Sequence, residues 1–143
     1  LAMQWGTAAL CAHAVGAMAR LLDITVDYLK TRKQFGQPLA AFQALQHRMA
    51  EMVVAKEMAL SMAYVAAAAL TEPDARARRR MIAAAKLETA RSGRFLSQCA
   101  VQLHGGMGMT DELEVCDFFK RLTVVELLLG DSAEKLAALE ETA

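Results

Sequence analysis

The stretch Ile82–Gly108, IAAAKLETARSGRFLSQCAVQLHGGMG, decides the fold of this chain. Apolar side chains recur in it mostly at spacings of three and four residues, which is the period of one face of an α-helix. They are Ile82, Ala85, Leu87, Ala90, Phe95, Cys99 and Leu103. Gly105, Gly106 and Gly108 then disfavour helical backbone. The stretch therefore predicts a long amphipathic helix that ends in a glycine-rich turn.

The same helical pattern occurs twice upstream of this stretch, and each stripe is wide enough to be buried. Its members are Val15, Met18, Leu22, Val26 and Leu29 in the first helix, and Leu39, Phe42, Leu45, Met49, Met52, Val53, Ala59, Leu60 and Ala63 in the second. Breaks are expected at Phe35–Pro38, Thr71–Asp74 and Gly130–Ser132, with Pro38 in the first turn of the second helix.

Shorter helices are predicted at about 111–129 and 132–142, and Asp131 with Glu134 resembles a capping box at the start of the last one. Ala, Leu and Met dominate the 55% of residues that are hydrophobic, and only two residues are proline, so the composition also favours helix. The fold class predicted is all-α: an antiparallel up-and-down four-helix bundle with a short C-terminal helix.

The charges exclude two classes of partner. Sixteen basic and sixteen acidic side chains cancel, so no net field attracts nucleic acid or an anionic membrane. The basic run Arg76–Arg80 is interpreted as a solvated helix face. The apolar run Ala63–Leu70 is too short to span a bilayer, and we expect no signal peptide. Three cysteines suggest free thiols in a reducing compartment, which predicts a cytoplasmic location.

No residue cluster in the sequence forms a recognisable active site by itself. None of His13, His47 and His104 follows a glutamate by three residues, so the di-iron bundle pattern is missing and no metal site is predicted. Cys-x-x-Cys, phosphate-binding-loop and Gly-x-Ser-x-Gly patterns are missing as well.

Two segments nevertheless stand out. In the first, Arg32 precedes Phe35-Gly36 and is followed by Phe42-Gln43-Ala-Leu-Gln46. Its guanidinium can satisfy helix-terminal carbonyls or hold a phosphate in two-point contact. In the second, Gln102–Glu112, the glycines either make a turn or let backbone approach a ligand closely.

Together the two segments resemble the acyl-CoA dehydrogenase family: Arg-x-x-Phe-Gly, Phe-Gln-x-x-Gln, then Gln-x-His-Gly-Gly-x-Gly-x-Thr-x-Glu. The resemblance covers essentially the whole chain. It implies that residues 1–143 are the family's C-terminal helical domain, without the N-terminal helical and middle β-domains. The stretch HGGMGMTDELEV most resembles the same stretch in one subgroup of the family. That subgroup contains pimeloyl-CoA dehydrogenase small subunits and paired subunits that act on steroid-derived acyl-CoAs.

The resemblance implies a site for FAD shared with a neighbouring subunit, and an acyl-CoA substrate. By position, Arg32 would reach the FAD pyrophosphate, and Phe35 and Gln43 would support the same cofactor. The loop against the adenosine half would comprise Gln102, Leu103, His104, Gly105 and Gly106. We expect the isolated domain not to retain FAD.

The family's catalytic glutamate is missing at both of its known positions. One of these positions in the family is the residue before a Gly-Thr pair, and in this chain it is Leu129. The other lies in the first helix, and in this chain it is Gly6. Glu126, three residues before Leu129, is the one candidate for a displaced base, and Asp131 replaces the usual threonine near the flavin phosphates. We therefore expect a subunit of a hetero-oligomer without its own base. The alternatives are a self-sufficient dehydrogenase with a displaced base, and a flavin-free helical scaffold.

Overall fold

The computed structural model describes residues 1–110 and 112–140 and is almost entirely helical. Three long helices are followed by two short ones. They are α1 (Ala2–Thr31), α2 (Gln43–Ala69), α3 (Ala75–His104), α4 (Glu114–Leu127) and α5 (Ser132–Glu140). Helix α3 packs against each of the other four. The all-α bundle with a short C-terminal helix is confirmed.

The core lies where α3 meets α1, α2 and α4. Its large side chains are fully buried and come from all four helices: Met18, Leu21, Met52, Leu96, Val115 and Leu122. Gly93 of α3 faces α4, and a Cβ atom at this position would make ordinary van der Waals contact with Leu122, 3.4 Å from its Cδ2. Burial of an apolar face, more than intrinsic propensity, stabilises helices of this kind.

The connection between α1 and α2 differs from the prediction. Residues 33–38 form a two-stranded antiparallel hairpin, β1 (Lys33–Gln34) and β2 (Gln37–Pro38), and Leu39–Ala41 form a single 3-10 turn. Phe35 and Gly36 have φ angles of 55° and 80°, as a two-residue hairpin turn requires. The second helix therefore begins at Gln43, so Pro38, Leu39 and Phe42 precede it.

Helix α4 is also shorter than the predicted range of 111–129. It begins at Glu114, after a 3-10 turn over Gly105–Met109, and ends at Leu127. Leu128 is extended, and Leu129 and Gly130 have φ angles of 58° and 96°, which helical backbone cannot accommodate. The predicted end of the last helix, residues 141 and 142, lies outside the described residues.

The predicted breaks carry the expected caps. The Asp74 carboxylate accepts hydrogen bonds from the backbone N–H groups of Arg76 (3.0 Å) and Ala77 (3.2 Å) at the start of α3, and these bonds lower its pKa. Asp131 accepts from the N–H of Glu134 at 2.9 Å and caps α5. In the basic run, Arg78 is half-buried and donates to the carbonyl of Glu72 and to Oε1 of Gln4.

The apolar stripe predicted for α2 is only partly buried. Met52 and Ala59 are in the core, whereas Val53 of the same stripe is exposed. The reason is that α2 is apolar all round: Val54, Met58 and Tyr64 are exposed as well. By length and composition alone α1 and α2 are each long and apolar enough to cross a bilayer, but core helices of bundles pass the same test, so this does not decide against the expected absence of a membrane span.

Candidate functional site

The two segments singled out in the sequence meet at one end of the bundle. Arg32 follows the last turn of α1, and Gly105 follows the last turn of α3. The rings of Tyr28 and His104 stack across the two helices, with centroids 4.3 Å apart and planes inclined by 29°. The Tyr28 hydroxyl also donates to the carbonyl oxygen of His104 at 3.4 Å. This aromatic pair therefore joins the end of α1 to the glycine-rich loop.

His104 is an internal support of this loop. Its ring is buried, and Nδ1 lies 2.8 Å from the carbonyl oxygen of Ala100, which requires that Nδ1 carry the proton. Burial lowers the pKa of His104, so the neutral form is favoured, and Nε2 has no hydrogen-bond partner within the described residues. The side chain was expected to lie in the loop against the cofactor; the structure places its ring beneath the surface, where it orients the loop.

The glycines of the loop have different requirements. Gly105 has φ 62° and ψ −143°, a conformation open almost only to glycine. A Cβ atom on Gly108 would lie 2.8 Å from the carbonyl oxygen of Val101, so this position excludes side chains by packing. A Cβ atom on Gly106 would meet open space. Nothing inside the described chain requires glycine at 106, which fits close approach of an external group.

The other predicted cofactor residues lie on the surface of the same end. Arg32, Gln43 and Gln102 are exposed, Leu103 is half-buried, and Phe35 is 91% exposed at the tip of the hairpin. The Phe35 ring makes an edge contact with Phe42, with centroids 6.2 Å apart. Within residues 1–110 and 112–140 the Arg32 guanidinium has no hydrogen bond or ion pair.

These groups fit the chemistry of FAD. An unpaired guanidinium suits a pyrophosphate, an exposed aromatic ring suits an adenine or flavin face, and open glycine backbone allows close approach. Tyr28, which joins the end of α1 to this loop, was not predicted to have a role. Its one local signal is its position one helical turn before Arg32.

The two positions that the resemblance assigns to the base, Gly6 and Leu129, meet at the opposite end of α1. A Cβ atom on Gly6 would lie 3.2 Å from Cδ1 of Leu129. Neither residue has a group that can accept a proton. From Gly6 to Arg32 the axis of α1 extends roughly 39 Å, at 1.5 Å per residue. The residues that the resemblance assigns to the cofactor and those that it assigns to the base are therefore far apart within one chain.

Glu126, the candidate displaced base, is already engaged. Its carboxylate forms an ion pair with Arg94 and accepts a hydrogen bond from Ser132 at 3.5 Å, and the side chain is 13% exposed. It faces a cavity of about 400 Å³ whose lining comes from α3, α4 and the start of α5, with no residue of α1. Among the described residues, no group of three His, Cys, Asp or Glu side chains could hold a metal ion.

Comparison with known proteins agrees with this architecture. Residues 1–142 match the family described as "Acyl-CoA dehydrogenase, C-terminal domain". Acyl-CoA dehydrogenase IpdE2 of Mycolicibacterium smegmatis is 40% identical over 136 residues, which cover 94% of this chain and 42% of that protein. The chain thus spans about two fifths of this relative's length.

Solved structures show the same fold. The Tcur3481-Tcur3483 steroid ACAD has a TM-score of 0.90 at 27% identity, covering 97% of this chain and 38% of that one. The ChsE4-ChsE5 complex of Mycobacterium tuberculosis has a TM-score of 0.85 at 25% identity, covering 97% and 37%. The chain is therefore a member of the acyl-CoA dehydrogenase family of flavoproteins and corresponds to its C-terminal domain.

Proposed function

We propose that this domain belongs to a subunit of a hetero-oligomeric acyl-CoA dehydrogenase and completes a flavin site whose proton abstraction is performed by another chain. One observation supports the proposal: the surface that suits FAD lies at one end of α1, and Gly6 and Leu129, which the resemblance assigns to the base, meet at the other end and offer no carboxylate. The domain thus has the parts for one half of the site only.

In this proposal the base and part of the flavin-binding surface come from different chains. A carboxylate must remove the α-proton of the acyl-CoA thioester while hydride leaves the β-carbon. When bound, FAD supplies the hydride acceptor. In this chain Arg32 would hold the pyrophosphate, and the loop Gln102–Gly106, which His104 and Tyr28 support from beneath, would take the adenosine. Leu129, which lies at the position assigned to the base, cannot take a proton.

The neighbouring subunit would cover the outer face of α2 and α3. Val54 and Met58 are exposed there and line two adjoining grooves of about 500 and 760 Å³ between the helices. Glu88 and Arg91 line both grooves and offer each sign of charge to a partner. Exposed apolar surface of this kind commonly marks a subunit contact. Two similar solved structures carry paired names, Tcur3481-Tcur3483 and ChsE4-ChsE5, which supports a paired assembly.

The cytoplasm is the proposed location of the assembled enzyme. Cys11 and Cys116 are free and buried, and Cys99 is free and half-buried. Burial raises the pKa of the Cys11 and Cys99 thiols. Thiols of this kind are typical of proteins from a reducing compartment.

The proposal is tested by purifying the full-length protein alone and together with the product of the adjacent gene. We expect flavin absorbance and acyl-CoA-dependent dye reduction only in the joint preparation. Flavin and turnover in the protein alone would indicate a self-sufficient dehydrogenase. A joint preparation that forms a stable complex yet contains no flavin would instead indicate a scaffold.

A displaced base is tested by Glu126→Gln in the joint preparation. The amide keeps the shape of the side chain but cannot take a proton. Because Arg94 and Ser132 already engage this carboxylate, we expect turnover per flavin to change by less than about twofold, compared with about 100-fold or more for loss of a true base. Arg94→Gln is the matched control, since it breaks the same ion pair and leaves the carboxylate. A loss confined to Glu126→Gln would establish Glu126 as the base.

A further inference from the structure

Lys86 is the most deeply buried charged side chain in the described part of the chain. It lies in the middle of α3 and is only 1% exposed. Its ammonium Nζ donates hydrogen bonds to the carbonyl oxygens of Val125 at 2.7 Å and Glu126 at 3.2 Å. Both carbonyls belong to the last turn of α4. A buried ammonium is destabilising unless such partners compensate for its lost hydration.

The end of α4 needs these donors. The last carbonyls of a helix have no partner within the helix, and a following left-handed residue normally supplies one. Here Leu128 is extended, and its N–H bonds only to the carbonyl of Val124. The next two carbonyls are those that Lys86 binds. A cation at a helix C-terminus is also favoured by the helix dipole.

Titratable groups from α1, α4 and α5 and from the turn before α5 surround this ammonium. Burial is the main cause that lowers the pKa of Lys86. Cys11 on α1, Glu126 on α4 and Asp131 before α5 act in the opposite direction, while Lys135 on α5 adds to the lowering. The two carbonyl bonds and the acidic neighbours favour the charged form that caps the helix.

We propose that Lys86 is a positioning residue: by capping α4 it fixes the turn of residues 128–131 and so sets where the side chain of residue 129 lies against Gly6. The turn leaves the helix abruptly, with φ angles of 58° at Leu129 and 96° at Gly130, and such backbone persists only when its surroundings hold it. On the far side, Asp131 caps α5. The turn is thus held by α3 at one end and by α5 at the other. The claim that a base would lie at position 129 rests on the proposed function. The capping role of Lys86 does not depend on it.

The test compares Lys86→Met with the parent in the full-length protein by hydrogen–deuterium exchange. Methionine has similar length but no donor, so the segment 124–135 is expected to exchange on the order of tenfold faster, with α1 and α2 nearly unchanged. Arg80→Met removes an exposed cation from the same helix and should change exchange neither in segment 124–135 nor in α1 and α2. Leu96→Ala, a core truncation, controls for general loss of stability.

Two outcomes would overturn the capping role. One is exchange that rises uniformly, as in Leu96→Ala; the other is no change in segment 124–135. If Lys86→Met does not fold, Lys86→Gln, which still offers donors on a shorter side chain, should show a smaller but equally local increase. In the Leu129→Glu assembly whose partner subunit has lost its own base, Lys86→Met should lower kcat and leave KM unchanged. Local exchange without any turnover in that assembly would contradict the placement of the base at position 129 and still support the cap.

Discussion

Introducing glutamate at position 129 is expected to place a base at a flavin bound at the Gly6 end of α1, and so to restore turnover to an assembly whose partner subunit has lost its own base. Replacing the partner's catalytic carboxylate by its amide should lower turnover about 100- to 10,000-fold, the contribution of a positioned acid–base group. Leu129→Glu should then recover at least about tenfold, since the side chain at 129 already reaches Gly6, the family's other base position. Glutamate and leucine are both unbranched at Cβ, so the positive φ at this residue adds no new strain.

Turnover and flavin content of the same preparations provide the measurement. Leu129→Gln is the matched control, because it has the shape of glutamate but accepts no proton. The double variant Gly6→Glu/Leu129→Ala should recover turnover too. The alanine is needed because any side chain at Gly6 would press against Leu129, at 3.2 Å for Cβ alone. Unchanged turnover in both carboxylate variants, with flavin retained, would refute the placement of the base at this end of α1.

The second large effect is expected for FAD affinity in Arg32→Ala. Loss of charge-assisted hydrogen bonds of about 1.5–3 kcal/mol corresponds to a rise in Kd of roughly 10- to 100-fold. Helicity should be unchanged, because the Arg32 side chain is exposed and bonds to no other described residue. FAD titration of the apo-assembly gives the Kd, and circular dichroism gives the helicity.

Two further variants sharpen this result. Arg32→Lys should fall between the parent and alanine, since an ammonium keeps the charge but loses two-point contact. Lys33→Ala removes the adjacent exposed cation and should leave the Kd within about twofold. If Arg32→Ala mainly lowered the unfolding temperature, its role would be structural.

The sequence alone determined the helices and the family. The signals that allowed this are local: apolar residues at helical spacing, the cap at Asp74 and the glycines after His104. Each affects the backbone only within a few residues of its own position. The hairpin at residues 33–38 was not predicted, and the reason is local as well. Its turn uses Phe35 at positive φ, where Asn or Asp would be expected, and Leu39 and Phe42 fall by chance at helical spacing before α2.

Tertiary structure alone decided how the site is arranged. Tyr28 and His104, Gly6 and Leu129, and Lys86 and Val125 are separated by 39 to 123 positions along the chain, and each pair meets only because the helices pack side by side. Lysine is almost never fully buried, so a lysine in a helical sequence is expected at the surface. Nothing in the sequence around Lys86 indicates that it is buried. The sequence could predict which residues suit a flavin, and that the two positions that the resemblance assigns to a base hold no carboxylate. It also places Gly6 and Arg32 near opposite ends of the first helix. Only packing brings Leu129 against Gly6, because long-range contacts depend on the whole core and leave no periodic trace in the sequence.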